Sequence, residues 1–174
     1  SNNPDPEYIF LDNRGGGGQC YNVIFDNTGS PVWYQRMPDE RRDMKVQPNG
    51  VLTMLARDKG QYFYGLNTNY QKIAEYATVN GYSVDEHELY VLADGTYFLI
   101  GLHGENVDLS RYVSGGSTSA GVTENCIQQF TPAGELIFQW RAWDHLDAAG
   151  QQYVVSAANP GDFPKKTPRH SACS

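Results

Sequence analysis

Apolar and polar residues alternate in short runs along most of this chain, and tight turns separate the runs. Residues 21–25 are closed by Asp26-Asn27-Thr28-Gly29 and followed by 32–34. Residues 44–46 turn at Pro48-Asn49-Gly50 into 51–55, and 62–66 turn at Asn67-Thr68-Asn69 into 72–76. Residues 89–92 turn at Asp94-Gly95 into 97–100, and 127–130 turn at Pro132-Ala133-Gly134 into 136–140. A period of two is that of a strand with unlike faces. The Asn-Gly and Asp-Gly pairs supply the positive φ that two-residue hairpin loops require. No long segment repeats apolar residues at helical spacing, so the pattern predicts hairpins and no helix.

The hairpins resemble one another. Residues 44–52 match 89–97 at an offset of 45 residues, and 25–34 match 130–139. A period near 45 with four strands per unit is the signature of propeller blades, each needing a neighbour to cover its faces. The expected fold is therefore all-β, with about three four-stranded β-propeller blades; an ordinary sandwich or meander with similar hairpins is the competing reading. The expected organisation is an N-terminal lead-in over 1–20, a partial propeller over 21–147 and an irregular tail over 148–174. Residues 107–123, rich in Ser, Thr and Gly, read as a long loop. Gly15 to Gly18 read as a connector, since no Lys-Ser/Thr pair follows to make a phosphate loop.

Composition narrows the function. Twenty acidic against 13 basic residues give a net charge of −7, the wrong sign for a nucleic-acid binder. No run approaches the roughly 18 apolar residues of a membrane helix. No leader is visible at Ser1-Asn2-Asn3-Pro4, which fits a cytosolic chain or a mature exported one. Twelve Tyr, seven Phe and 18 Gly suit β-structure. Cys20, Cys126 and Cys173 form no CxxC pair; one disulfide with a free thiol and three unpaired thiols are equally compatible.

Two of the four histidines, His87 and His145, adjoin acids, in Asp85-Glu86-His87-Glu88 and Asp144-His145-Leu146-Asp147; His103 and His170 complete the set. On a regular strand Asp85, His87 and Leu89 would share one face and Glu86 and Glu88 the other. An imidazole beside a carboxylate has a fixed tautomer and raised basicity, which suits a base, a nucleophile or a ligand; a buried histidine satisfied by a neighbour is the plainer alternative. The spacings match no zinc motif, so no metal is expected. No G-x-S-x-G elbow marks a serine hydrolase. Trp33 and Trp140, in alternating runs, read as core. Trp143, just before Asp144-His145, reads as the better site residue. Tyr62, Tyr64, Tyr82 and Tyr97 are candidates for an aromatic site.

Between Val23 and His145 the motifs resemble the propeller-type aryl-sulfate sulfotransferases. The residues that carry the resemblance are Phe25-Asp26-Asn27-Thr28-Gly29 with Val32-Trp33, Gln61-Tyr62-Phe63-Tyr64 with Asn69-Tyr70, and Gly81 through Leu89. Val107-Asp108-Leu109-Ser110 and Ile127 through His145 complete the set, which spans about 120 of the 174 residues. The resemblance implies a six-bladed propeller, usually secreted or periplasmic. It implies transfer of a sulfuryl group from an aryl sulfate to a phenol through a histidine site, with no cofactor and no nucleotide donor. Carried over, it makes His87 and His145 catalytic and places Glu88, Trp143 and Asp144 at the substrate, with Glu88 as the carboxylate that orients the imidazole or as a structural partner on the other face. Six blades need roughly 270 residues, so the chain reads as about half a ring, a fragment or a truncated homologue, and a homodimer would complete it. A catalytically silent propeller-like binding module is the alternative, and a sandwich-type carbohydrate-binding domain ranks behind both.

Overall fold

The computed structural model describes residues 6–13, 19–38, 41–111 and 114–145. Among them, β1 (Ile9–Asn13), β2 (Cys20–Phe25) and β3 (Pro31–Met37) form a first sheet in that order. A second sheet holds β4 (Arg42–Val46), β5 (Leu52–Ala56), β6 (Tyr62–Leu66) and β7 (Lys72–Tyr76). A third holds β8 (Ser83–Val91), β9 (Tyr97–Val107), β10 (Ala120–Phe130) and β11 (Leu136–Arg141). The sheets follow one another along the chain and every strand lies beside its sequence neighbour. This is the all-β arrangement of antiparallel blades that the pattern predicts. A 3-10 turn at Leu109–Arg111 and a single helical turn, α1 (Ala142–His145), interrupt it. The chain divides into two compact units, Ser1–His103 with Asn125–Trp140, and Gly104–Glu124 with Arg141–Ser174.

One turn design serves five hairpins. In each, a residue donates its N–H to the carbonyl four positions on and accepts from the N–H three positions on, as Asp26 does with Ser30 and Gly29. Gln47, Asn67, Leu92 and Thr131 repeat the pattern. This is a type I turn followed by a left-handed residue, one residue longer than the two-residue loops expected from the Asn-Gly and Asp-Gly pairs. Gly50, Gly95 and Gly134 take the left-handed place with φ of 82°, 86° and 85°. Tyr70 takes it at φ 58°, a strained place for a side chain, and its ring stacks on Trp33 at 4.5 Å.

Two apolar layers hold the first unit together. Ile24 and Met37 of the first sheet meet Met44, Leu52, Met54 and Leu66 of the second, with Trp33 and Phe10 packed alongside. Leu55, Phe63 and Tyr76 of the second meet Leu89, Leu99 and Phe130 of the third. Tyr97 belongs to this second layer, stacked on Phe130 at 4.8 Å and edge-on to Tyr76 at 4.8 Å, so it is core. Trp33 is core-associated, as expected.

The turn ends of the first two sheets lie together, around a hollow lined by Val32, Gly50, Asn67 and Tyr70. In the second and third sheets the first strand runs towards the turn end. β1 runs away from it, because Ile9 pairs with Phe25 and Asn13 with Tyr21. It therefore corresponds to β5, and β1–β3 match the second to fourth strands of the other sheets. β1 lies within the segment read as a lead-in. Its core, Ile9-Phe10-Leu11, is an apolar run without alternation.

Buried amides link the sheets. Gln47, 3% exposed, follows β4. Its amide nitrogen donates to the Leu89 carbonyl at 2.9 Å and to Thr53 Oγ1 at 2.8 Å, and its oxygen accepts from the Val91 N–H at 2.9 Å. One side chain thus supplies both hydrogen bonds that a strand would offer β8. Gln128 does the same for Val79, accepting from its N–H at 3.0 Å and donating to its carbonyl at 3.1 Å. Gln47→Leu leaves a buried N–H and a buried carbonyl unpaired, at about 1–3 kcal/mol each. The expected outcome is a loss of about 2–6 kcal/mol, seen as a lower urea midpoint at unchanged slope; an unaltered midpoint would show that the amide contributes nothing between the sheets.

Candidate functional site

The Asp85-Glu86-His87-Glu88 segment lies in β8, a strand broken by a wide bulge. Val84 pairs with Gly101 and Leu89 with Leu99, so four residues stand opposite Ile100 alone. The extra length leaves the ladder and resets the alternation. Asp85, His87 and Leu89 therefore do not share a face: Leu89 is fully buried, whereas the His87 side chain is 73% exposed. Asp85 Oδ1 accepts from the His87 N–H at 2.9 Å and from His87 Nδ1 at 2.8 Å. A carboxylate can only accept, so Nδ1 carries the proton and the Nε2 lone pair is left for other work. Asp85 is thus the carboxylate that orients His87, and Glu88 is bound elsewhere.

A hollow of about 380 Å³ opens beside this pair. Asp85 and His87 line it together with Ile100, Ile127, Cys126 and Trp140. Trp140, expected in the core, is half-buried there instead. Trp143, Asp144 and His145 belong to the second unit and form a group of their own.

β4 faces the β8 bulge with one of its own. Arg42 pairs with Leu55 and Lys45 with Thr53, which leaves Asp43 and Met44 opposite a single residue, and Asp43 adopts φ 53°. The two bulges exchange charge. Arg42 and Arg57 hold the two oxygens of Glu86 between them. Lys45 binds Glu88 and sits 2.9 Å from Asp43 Oδ2, which also accepts from the Leu89 N–H at 3.4 Å. Burial pushes the Asp43 carboxyl above its ordinary value, against the Lys45 bond that lowers it. For Lys45, burial lowers the ammonium, but its bonds to Glu88 and Asp43 outweigh this and raise it. Sequence reasoning missed Arg42, Arg57 and Lys45, because nothing local ties them to partners 29 to 44 positions away.

In the second unit Val-Asp-Leu-Ser is a capped turn. Asp108 Oδ1 accepts from the Ser110 N–H at 3.0 Å and from its hydroxyl at 2.6 Å, Oδ2 accepts from Arg111 at 3.2 Å, and Leu109 is buried. The serine bond, helped by the Ser110 and Arg111 contacts, holds the Asp108 carboxyl below its usual range. The expected long loop is shorter, since β9 runs to Val107 and β10 starts at Ala120. Trp143 and Asp144 lie on α1, which His145 ends. The Trp143 N–H bonds Glu124 at 3.2 Å, and Asp144 lies 3.7 Å from Arg141. The indole Nε1–H of Trp143 is buried with no acceptor among the described residues. His103 meets the Tyr82 ring at 5.6 Å. Cys20 and Cys126 are free thiols; Cys173 and His170 lie outside the described residues. Among the described residues no three His, Cys, Asp or Glu side chains gather to hold a metal ion.

Because Lys45 titrates above its ordinary 10.5, the stability it contributes is complete below that value and is lost as pH rises through the folded one. The stability gap between the parent and Lys45→Met is therefore expected to hold below pH 10.5 and to narrow as pH rises above it, measured by urea denaturation. A gap that stays constant would detach Lys45 from Glu88 and Asp43.

No curated protein matches the chain. No helix among the described residues is long and apolar enough to cross a membrane. The sequence model of the family Arylsulfotransferase (ASST) matches residues 5–170, beginning ahead of Val23 and running past Leu146, where the motif resemblance stops. Sheets that follow one another as blades, an oriented imidazole on a bulge and this match over nearly the whole sequence lead to one assignment: the chain belongs to the arylsulfotransferase family.

Proposed function

We propose that this protein belongs to an enzyme that moves a sulfuryl group from an aryl sulfate to a phenol, with His87 of the first unit and His145 of the second each acting as a catalytic imidazole. The observation that carries the reading is the Asp85–His87 pair, raised on a bulge of β8 in a chain of this family. Asp85 fixes the proton on Nδ1, so neutral His87 presents Nε2 as a nucleophile towards sulfur. Protonated, the same nitrogen donates to a sulfuryl oxygen. Arg42 and Arg57, gathered by Glu86 next to His87, favour the negative charge that builds on the transferring group. The phenolate leaving group needs no cofactor. Glu88 bears on substrate through its neighbour His87, Asp144 through its neighbour His145, and Trp143 through its indole N–H. The same reading places the protein outside the cytoplasm and lets two copies complete a ring.

Release of 4-nitrophenol from 4-nitrophenyl sulfate, with phenol present and no nucleotide donor, tests the proposal. His87→Ala is expected to lower kcat by about 10²-fold or more, and His145→Ala comparably. Asp85→Asn, which loosens the tautomer, is expected to cost about tenfold. Unchanged release in both alanine variants would take both histidines out of the site, and a parent chain with no turnover would favour a silent binding module. Trp143→Phe keeps an aromatic ring but removes the indole N–H together with the five-membered part of the indole. Bonding to a sulfuryl oxygen predicts a KM about tenfold higher. An unchanged KM would take Trp143 out of the site.

A further inference from the structure

β10 alternates between buried and accessible residues, and its buried beat reads Glu124, Cys126, Gln128, Phe130. A carboxylate on that beat is out of place. The Glu124 side chain has no exposed surface, and an ionised carboxylate is stable there only with partners of its own. Two of its partners are of different kinds. Oε2 accepts from Arg141 Nη2 at 3.2 Å, and Oε1 accepts from the main-chain N–H of Trp143 at 3.2 Å. Arg141 is the last residue of β11, and Trp143 lies in the only turn of α1. The first N–H groups of a helix have no partner within it. Glu124 therefore binds both the end of the strand and the start of the turn that follows it, and Arg141 carries the link to Asp144 at 3.7 Å.

From this we infer that Glu124 is a positioning residue: it sets the path of the Trp143-Asp144-His145 segment without touching substrate. The catalytic part of the inference rests on the sulfuryl-transfer reading. Trp143, Asp144 and His145 are consecutive, so holding the Trp143 amide to a buried carboxylate sets the start of all three. Chain neighbours do not supply this constraint: Glu124 lies 19 residues from Trp143 in sequence. Where reacting groups must meet closely, a displacement of about 1 Å costs about 10²-fold in rate.

The test compares Glu124→Ala and Glu124→Gln in the full chain by two readouts. One is the indole N–H resonance of Trp143, assigned through Trp143→Phe. The other is kcat and KM for transfer from 4-nitrophenyl sulfate to phenol. Glu124→Ala is expected to shift the Trp143 resonance while those of Trp33 and Trp140 stay in place. It is expected to lower kcat by about 10- to 100-fold with KM changed less than about threefold. Glu124→Gln keeps an oxygen for the Trp143 N–H, so its resonance should stay near the parent's and its kcat should fall by less than about fivefold. If the alanine variant does not fold, Glu124→Asp, whose shorter side chain withdraws the carboxylate from the Trp143 N–H, takes its place with the same expected shift and loss of kcat. A Trp143 resonance unmoved in Glu124→Ala, or a glutamine variant as slow as the alanine one with the resonance in place, overturns the inference. A parent chain without turnover overturns the sulfuryl-transfer reading, while the resonance still decides whether Glu124 sets Trp143.

Discussion

The candidate site depends on how β4 is held to β8. These are the first strands of two successive sheets, and no backbone ladder joins them. A side-chain amide does the work instead: Gln47 offers Leu89 and Val91 the donor and the acceptor that a neighbouring strand would. Because it is buried, this pairing is not weakened by competing water, and leaving either main-chain group unpaired carries a desolvation cost. Gln47 clamps β8 just past its bulge, so Asp85 to Glu88 project from a fixed base.

On that base the two bulges make a compact field of alternating charge. The chain is acidic overall, yet Arg42, Arg57 and Lys45 of the second sheet are drawn to Glu86 and Glu88. The ion pairs are partly buried, and their worth lies more in orientation than in stability. Asp43 shows the cost, since burial drives its carboxyl towards the neutral form even with Lys45 alongside. His87 stands at the exposed crest, with one nitrogen committed to Asp85 and the other open. A regular strand would have turned the imidazole according to its alternation alone.

The hairpins were legible in the sequence because their signal is local. Alternation and turn chemistry occupy fewer than ten residues at a time, and the five predicted hairpins coincide with β2–β3, β4–β5, β6–β7, β8–β9 and β10–β11. The face assignment in β8 failed for an equally physical reason. Asp85-Glu86-His87-Glu88 is polar at every position, so no apolar beat marks the register, and the pairing with β9 decided where the ladder resumes. β1 escaped notice because Ile9-Phe10-Leu11 has no alternation to read. Glu124 and Gln128 left a usable trace, being polar residues on the buried beat of β10, and such mismatches point to a bonded role. Trp140 read as core because a tryptophan in an alternating strand usually is; in the structure it borders the hollow by His87.

By itself, the sequence determined the strands of the five hairpins, where each hairpin turns, the order of the sheets and the family motifs, because each follows from residues close together along the chain. Only the tertiary structure decided that Asp85 rather than Glu88 orients His87, that two arginines share Glu86, and that Glu124 holds the Trp143 amide. Those facts depend on register and on contacts between strands distant in sequence, where a single bulged residue changes which side chains meet.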